Sequence, residues 1–385
     1  MGRLFDWFVE IWDKLRRIGG FDRMSKAKRA ADLEGRSTLS RILYWARPVV
    51  ALLVLLYVVS LVSRFSIIHG DDLGYPQVVL PLERPTTFPG EPVGDGTCAP
   101  SGTAAMTAHI LDILVNENTW APGDPQYKLG WLGIAGFEGG PFFDNKASFQ
   151  IGALRAVRRI SIELVDLLGR ARGTSAADPD LTDARGSVQW NERAWIVNPF
   201  DSRLPFLSTA AATSYRSAID NFLAYNVKLE NCNALFDSRS DNLFQLLDRI
   251  ANDVGGMTDQ LATRSKGDKW DTAQKALVPA EGNNRGFFDF RADNLFFEAH
   301  GMMWAYHGIL QGVRRDFDGV IRGANLDQIW DRMEAHVAEA ASLEPSIVSN
   351  GREDSVFQPD HLSAMAANML RARANMTEIR EVLSR

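Results

Sequence analysis

From Val49 to Ile68 the chain reads VVALLVLLYVVSLVSRFSII, twenty residues with a single charge, Arg64, near the far end. A helix of about 20 residues, rising about 1.5 Å per residue, crosses the roughly 30 Å hydrocarbon core of a bilayer. Core helices of globular domains are seldom apolar on every face for that length, so residues 48–68 read as a single transmembrane helix. Tyr44 and Trp45 stand where an interfacial aromatic belt would, and Arg64 can snorkel to the opposite interface. A cleaved signal peptide fits worse, because SLVSRFSIIHG offers no small-x-small cleavage site.

Charge orients this span. Eleven Lys and Arg precede it, whereas Arg84 is the only one between His69 and Cys98. The positive-inside rule places residues 1–47 in the cytoplasm and the rest outside, which in a bacterium means an inner-membrane protein with a periplasmic domain. The net charge of -6 conceals a split. Residues 1–69 hold 12 Lys and Arg against 6 Asp and Glu, and residues 70–385 hold 30 against 42. An acidic outer domain argues against nucleic acid as a partner, since phosphate recognition needs a basic surface.

The cytoplasmic segment carries its own amphipathic signal. At 100° per residue, Leu4, Trp7, Phe8, Ile11, Trp12 and Leu15 share one half of a helical wheel, and Arg3, Asp6, Glu10, Lys14 and Arg17 share the other. Such a helix covers either a protein partner or the inner leaflet. With no cytoplasmic core of its own to cover, the bilayer surface is favoured, with Trp7, Phe8 and Trp12 at the interface. Residues 19–41 then form a basic tether.

Six prolines and five glycines between Gly70 and Pro100 forbid a helix and make residues 69–97 a spacer. From residue 98 to 385 helical periodicity dominates, with candidate helices near 103–118, 146–171, 209–232, 239–264, 290–317, 325–343 and 360–384. The fold class is all-α, a single transmembrane helix followed by a multi-helix globular domain. Ala194–Val197 is the best strand-like exception. FDSRSDNLF at Phe236–Phe244 and FDFRADNLF at Phe288–Phe296 agree at seven of nine positions. Each opens a helical pattern, with Asp237 or Ser238 and Asp289 as candidate N-caps and Asp241 and Asp293 in the first turn.

No P-loop, GxSxG elbow, HExxH or CxxC occurs. His300 and His307 are two helical turns apart, roughly 10 Å, too far to share one metal directly, and read as packing residues. His361, beside Asp360 and two residues before Ser363, reads as part of a helix start after Pro359, with acid/base work as the alternative. No cofactor and no metal site is expected, and no catalytic residue is assigned. Cys98 and Cys232 are the only cysteines; they form either one disulfide in an oxidising compartment or two buried thiols, and spacing does not decide. The run GWLGIAGFEGGPFF lacks the preceding strand of a dinucleotide site. Its Trp131, Leu132, Ile134 and Phe137 either tuck into the domain or face lipid or a partner.

DNKASFQIGALRAVRRIS at Asp144–Ser161, DPDLTDARGSVQWNERAWIV at Asp178–Val197, NLFFEAHGMMWAY at Asn294–Tyr306, RRDFDGVI at Arg314–Ile321 and RARANM at Arg371–Met376 occur in this order. Together they resemble the bacterial domain of unknown function 2333 family. The resemblance implies a single-span inner-membrane protein with a helical domain and carries over no activity, cofactor or catalytic residue. The chain departs from the family pattern at the glycine-rich loop, at His300 and at both cysteines.

Two functions are open on these grounds. The first is a non-enzymatic envelope scaffold or interaction protein, with the lipid bilayer and other envelope proteins as partners. The alternative is a periplasmic hydrolase working through carboxylates and His361, which requires Asp289, Glu298 and His361 to converge in one pocket.

Overall fold

The computed structural model describes residues 38–70, 87–94, 96–124, 144–170, 176–195, 209–271, 273–279, 292–345, 347–351 and 355–384. The chain divides at Ser66 into two compact units. The first holds most of helix α1, Thr38–Gly70, 33 residues long. Its side chains are described without a break only from 49 to 63, about 22 Å of helix at about 1.5 Å per residue. Among the described residues no helix is long and apolar enough to cross a membrane. Within the described stretch, Val49, Val50, Leu53, Leu55, Leu56, Val59 and Val62 are each more than half exposed.

The second unit is built from nine described α-helices and one hairpin. The helices are α2 Gly102–Asp112, α3 Asn145–Glu163, α4 Pro179–Val188, α5 Ala211–Glu230, α6 Ser240–Lys266, α7 Ala292–Asp316, α8 Asp318–Gly323, α9 Asp327–Ala341 and α10 His361–Leu383. Both α2 and α3 loosen at their ends into π turns, Ile113–Glu117 and Leu164–Leu168. The seven long helices lie where apolar periodicity places them. Helices α4 and α8 are too short to show a period and escape a reading based on one.

Helix α7 occupies the centre, and its sequence explains why. Phe296, Ala299, Met303, Tyr306, Ile309, Leu310 and Val313 are buried, and Gly301 and Gly312 sit at its two crossings. A Cβ on Gly301 would collide with the carbonyl of Phe149 in α3, and one on Gly152 of α3 with the carbonyl of Glu298. At the other end, a Cβ on Gly312 would lie 2.6 Å from the carbonyl oxygen of Gly102 in α2. Missing side chains thus let α7 approach two neighbours backbone to backbone. The pairing of Phe149 with Gly301 and Gly152 with Glu298 makes α3 and α7 antiparallel. Helices α6 and α10 are antiparallel too, since Asp248 pairs with Arg380 at 2.6 Å and Ser265 bonds Asp360 at the opposite end. Helix α9 covers α7, with Arg314 bonded to Glu334 at 2.8 Å and His300 to Ala341 at 2.7 Å.

Buried carboxylates fix the joints. Asp316, fully buried at the end of α7, accepts hydrogen bonds from the Gly102 and Thr103 amides at 2.6 and 2.9 Å and from the Ser101 hydroxyl at 2.7 Å. It therefore closes the N-terminus of α2 across 215 residues, where the helix end favours negative charge. Burial pushes its carboxyl up, while these donors pull it back.

Several local expectations are corrected. Helix α6 is capped neither by Asp237 nor by Ser238: Arg239 holds the N-cap position without a side-chain cap bond, its Nε spent on Asp237 at 2.7 Å. Asp241 and Asp293 do stand in their first turns, and Asp289 lies outside the described residues. The chain is mostly helical, but β1 Asp268–Asp271 and β2 Ala276–Pro279 form an antiparallel hairpin that alternation alone did not reveal. It follows directly on the left-handed Gly267 that ends α6, and Asp271 Oδ1 accepts from the Ala273 and Gln274 amides at 2.8 and 3.1 Å to shape the turn. Ala194 and Trp195 belong to no strand, and residues 196–197 lie outside the described set.

Candidate functional site

The polar side of α3 carries Arg155, Arg158, Arg159 and Glu163, spaced so that all four fall on neighbouring rows of one helical face. Arg159 grips Asp253 of α6 as a two-pronged fork, Nε to Oδ2 at 2.7 Å and Nη2 to Oδ1 at 2.8 Å. The Tyr306 hydroxyl of α7 donates to the same Asp253 Oδ2 at 3.1 Å. Three helices meet at this one carboxylate. Burial first, and Asp253 second, push the Tyr306 hydroxyl well above its ordinary range, so it stays a donor. The hydrogen bond to Asp253 likewise holds the Arg159 proton more tightly than usual.

Glu163 lies one turn further along. Its side chain is fully buried, 3.2 Å from Arg249 Nε and 3.7 Å from Arg159 Nη1, yet neither oxygen accepts a well-aligned hydrogen bond among the described residues. Burial pushes its carboxyl up against the pull of the two arginines. Arg158 ties α3 to the end of α4, donating to the carbonyls of Val188 and Trp190 at 2.8 and 2.6 Å and to Glu192 at 2.9 Å. Arg155 pairs with Glu298 of α7 at 2.7 Å.

Above this network α3 and α6 part and leave a cleft of about 370 Å³. Met257 and Met302 form its apolar floor, Arg155, Arg158 and Arg159 one wall, and Asp253 and Gly256 the other. In the sequence the three arginines only fill the positions between the apolar residues of α3, a pattern that does not tell a solvated face from a cleft wall, and Asp253 carries no local signal at all. The signal that marks the cleft is the pair Gly255-Gly256 in the interior of a 27-residue helix, where glycine is unfavourable.

The Asp360, His361 and Ser363 group is organised as a helix cap. Asp360 accepts from the Ser363 amide at 2.9 Å, from the Ser363 hydroxyl at 2.8 Å and from the Ser265 hydroxyl. His361 turns away, its Nδ1 accepting from the Ser349 amide at 3.0 Å, so no Asp-His-Ser relay is assembled. Glu298 is held by Arg155 and His361 by the Ser349 amide, so these two members of the hydrolase alternative have different partners; Asp289 lies outside the described residues. His300 is buried against Phe149, its Nε2 donating to the Ala341 carbonyl, whereas His307 is 3.3 Å from Gln311. Among the described residues no cluster of three or more His, Cys, Asp or Glu is placed to hold a metal ion.

Cys98 and Cys232 are joined as a disulfide, with Cα atoms 5.3 Å apart. The Cys98 amide also donates to the Glu230 carbonyl at 2.9 Å, and beside it the Gly90 amide donates to the Ala99 carbonyl at 2.8 Å and the Val93 amide to the Thr97 carbonyl at 2.9 Å. Trp7, Phe8, Trp12, Trp131, Leu132, Ile134 and Phe137 lie outside the described residues. Tyr44, Trp45 and Arg64 lie on the α1 backbone, their side chains outside the description.

A family model described as "Uncharacterized protein conserved in bacteria (DUF2333)" matches residues 127–385. The chain belongs to the DUF2333 family. The match takes in α3 to α10, and with them the arginine face and the cleft; it leaves out α1, α2 and Cys98. The resemblance is therefore carried by the helical domain, and the anchor noted from the sequence lies outside it. No curated protein and no solved structure matches the chain.

Proposed function

We propose that this DUF2333 member is a bacterial inner-membrane protein that spans the bilayer once through residues 48–68, keeps residues 1–47 in the cytoplasm and presents its acidic helical domain to the periplasm. Its role there is non-enzymatic: it binds other envelope components and holds them at the membrane. The observation that carries this reading is the exposure of Val49, Val50, Leu53, Leu55, Leu56, Val59 and Val62 on one helix, which in water would leave a large apolar surface uncovered. Lipid covers such a surface at no cost. The Cys98–Cys232 bond supports the outward placement, since disulfides persist in oxidising compartments. Two pairings disfavour hydrolysis: His361 Nδ1 accepts from the Ser349 amide and not from Ser363, whose hydroxyl bonds Asp360, and Glu298 is paired with Arg155.

A fusion of alkaline phosphatase to the C-terminus, active only when exported, tests the topology. The reading predicts an active fusion and an inactive cytoplasmic reporter at the same position; the reverse pattern contradicts it.

A further inference from the structure

We infer that the cleft between α3 and α6 binds a small amphipathic acid, a short apolar body bearing one carboxylate or phosphate. The first ground is Gly256. It sits in the interior of the 27-residue α6, where glycine weakens a helix, yet its φ is negative and a Cβ there would meet nothing within 4 Å. Gly152, Gly301 and Gly312 are glycines because a neighbouring backbone leaves no room, and Gly186 and Gly323, also unobstructed, stand near or at helix ends. Gly256 has neither reason. The space it preserves is the cleft.

The second ground is the chemistry of the walls. Asp253 already accepts two bonds from Arg159 and one from Tyr306, so it has little left to offer a ligand. Donors remain instead. A guanidinium carries five N–H groups. Arg158 is locked in plane by the bonds of its Nε and Nη2 to Val188, Trp190 and Glu192, with Tyr215 beside it, and Arg155 meets Glu298 through Nη2, so N–H groups of both remain for a ligand. Gln189, Asn252 and Gln260 line the same cleft with amides that donate as well as accept, so a wall of three arginines with donors to spare favours an acceptor-rich, negatively charged group. The floor of Met257 and Met302 is apolar and adaptable, and accepts a short alkyl or ring body. About 370 Å³ falls at the lower end of small-molecule sites, roughly 300–1,000 Å³, and suits a short-chain acid better than a diacyl lipid or a folded partner.

Full-length protein in nanodiscs, titrated with hexanoate, hexyl phosphate and hexanol and followed by saturation-transfer NMR with empty nanodiscs as blank, tests this. Saturable binding of hexanoate or hexyl phosphate, at least tenfold tighter than hexanol, is expected, and the tighter of the two names the acidic group. Gly256→Met, which fills the cleft, should weaken that binding at least tenfold without lowering the unfolding midpoint. Arg155→Gln, which keeps a donor for Glu298 but removes the charge, should weaken the two anions and leave hexanol unchanged. Failure of both anions to saturate, hexanol binding as tightly as they do, or wild-type affinity in Gly256→Met would overturn the proposal. The cleft lies wholly within the helical domain, so if the chain does not enter nanodiscs the same titration is run on the full-length protein in buffer, and the two proposals fail separately.

Discussion

Gly312 and Gly102 meet backbone to backbone, so that a Cβ on Gly312 would stand 2.6 Å from the Gly102 carbonyl oxygen and one on Gly102 would stand 3.0 Å from the Gly312 carbonyl oxygen. The same device joins Gly301 to Phe149 and Gly152 to Glu298. Relief of these collisions would require α7 to move off α2 or α3.

Gly152→Ala, Gly301→Ala and Gly312→Ala should therefore each cost about 2 kcal/mol or more, the upper part of the range for overpacking. Gly256→Ala should instead stabilise by about 0.5–1 kcal/mol, because helix propensity improves and nothing is displaced. Urea unfolding of the four variants checks the contrast; equal effects at Gly256 and Gly301 would contradict it.

His300 gives the domain a dependence on pH. Burial pushes its imidazole below the ordinary value, the Ala341 bond opposing, and its Nδ1 has no partner among the described residues. The folded state holds it neutral, so its contribution is fully present above the unfolded value of roughly 6.5 and is lost as pH falls through the lower folded value. His300→Leu cannot titrate. The stability difference between variant and wild type should move in favour of the variant as pH drops below about 6.5, as read from unfolding midpoints at a series of pH values. A difference that stays constant from pH 7.5 to 4.5 would show that His300 is not held neutral.

The disulfide closes a segment of 134 residues between α2's entry turn and the end of α5. In the chain-entropy picture a loop of that size is worth roughly 4–5 kcal/mol. Reduction with dithiothreitol should lower the unfolding midpoint markedly, and Cys98→Ser with Cys232→Ser should reproduce the shift and abolish any further effect of reductant. An oxidised protein no more stable than the double variant would refute the contribution.

How much of this was legible in the sequence varies with the range of the cause. Seven long helices were readable because residues such as Leu154, Val157 and Ile160 bury one face at a local period, and local periods need no knowledge of partners. The joints were not. Asp316 reads as one of several acids in RRDFDG, and only its placement against Ser101 makes it a cap. The pairing of Cys98 with Cys232 was one of two readings, and a spacing of 134 residues could not choose between them. The cleft was invisible for the same reason: Arg159 and Asp253 stand 94 residues apart, and nothing local distinguishes a solvated arginine from one that clamps a second helix. Gly256 alone left a trace, as a glycine pair where a helix former was expected.

Membrane anchoring with the helical domain outside is the claim on which the functional reading rests, and protease protection tests it most directly. Spheroplasts carrying the full chain, with an epitope at each end, are treated with proteinase K before and after detergent lysis. The account predicts that the C-terminal epitope is lost in intact spheroplasts while a membrane-bound fragment bearing the N-terminal epitope survives until detergent is added. A C-terminal epitope that resists protease until lysis, or full-length chain in the fraction not bound to membrane, would contradict it.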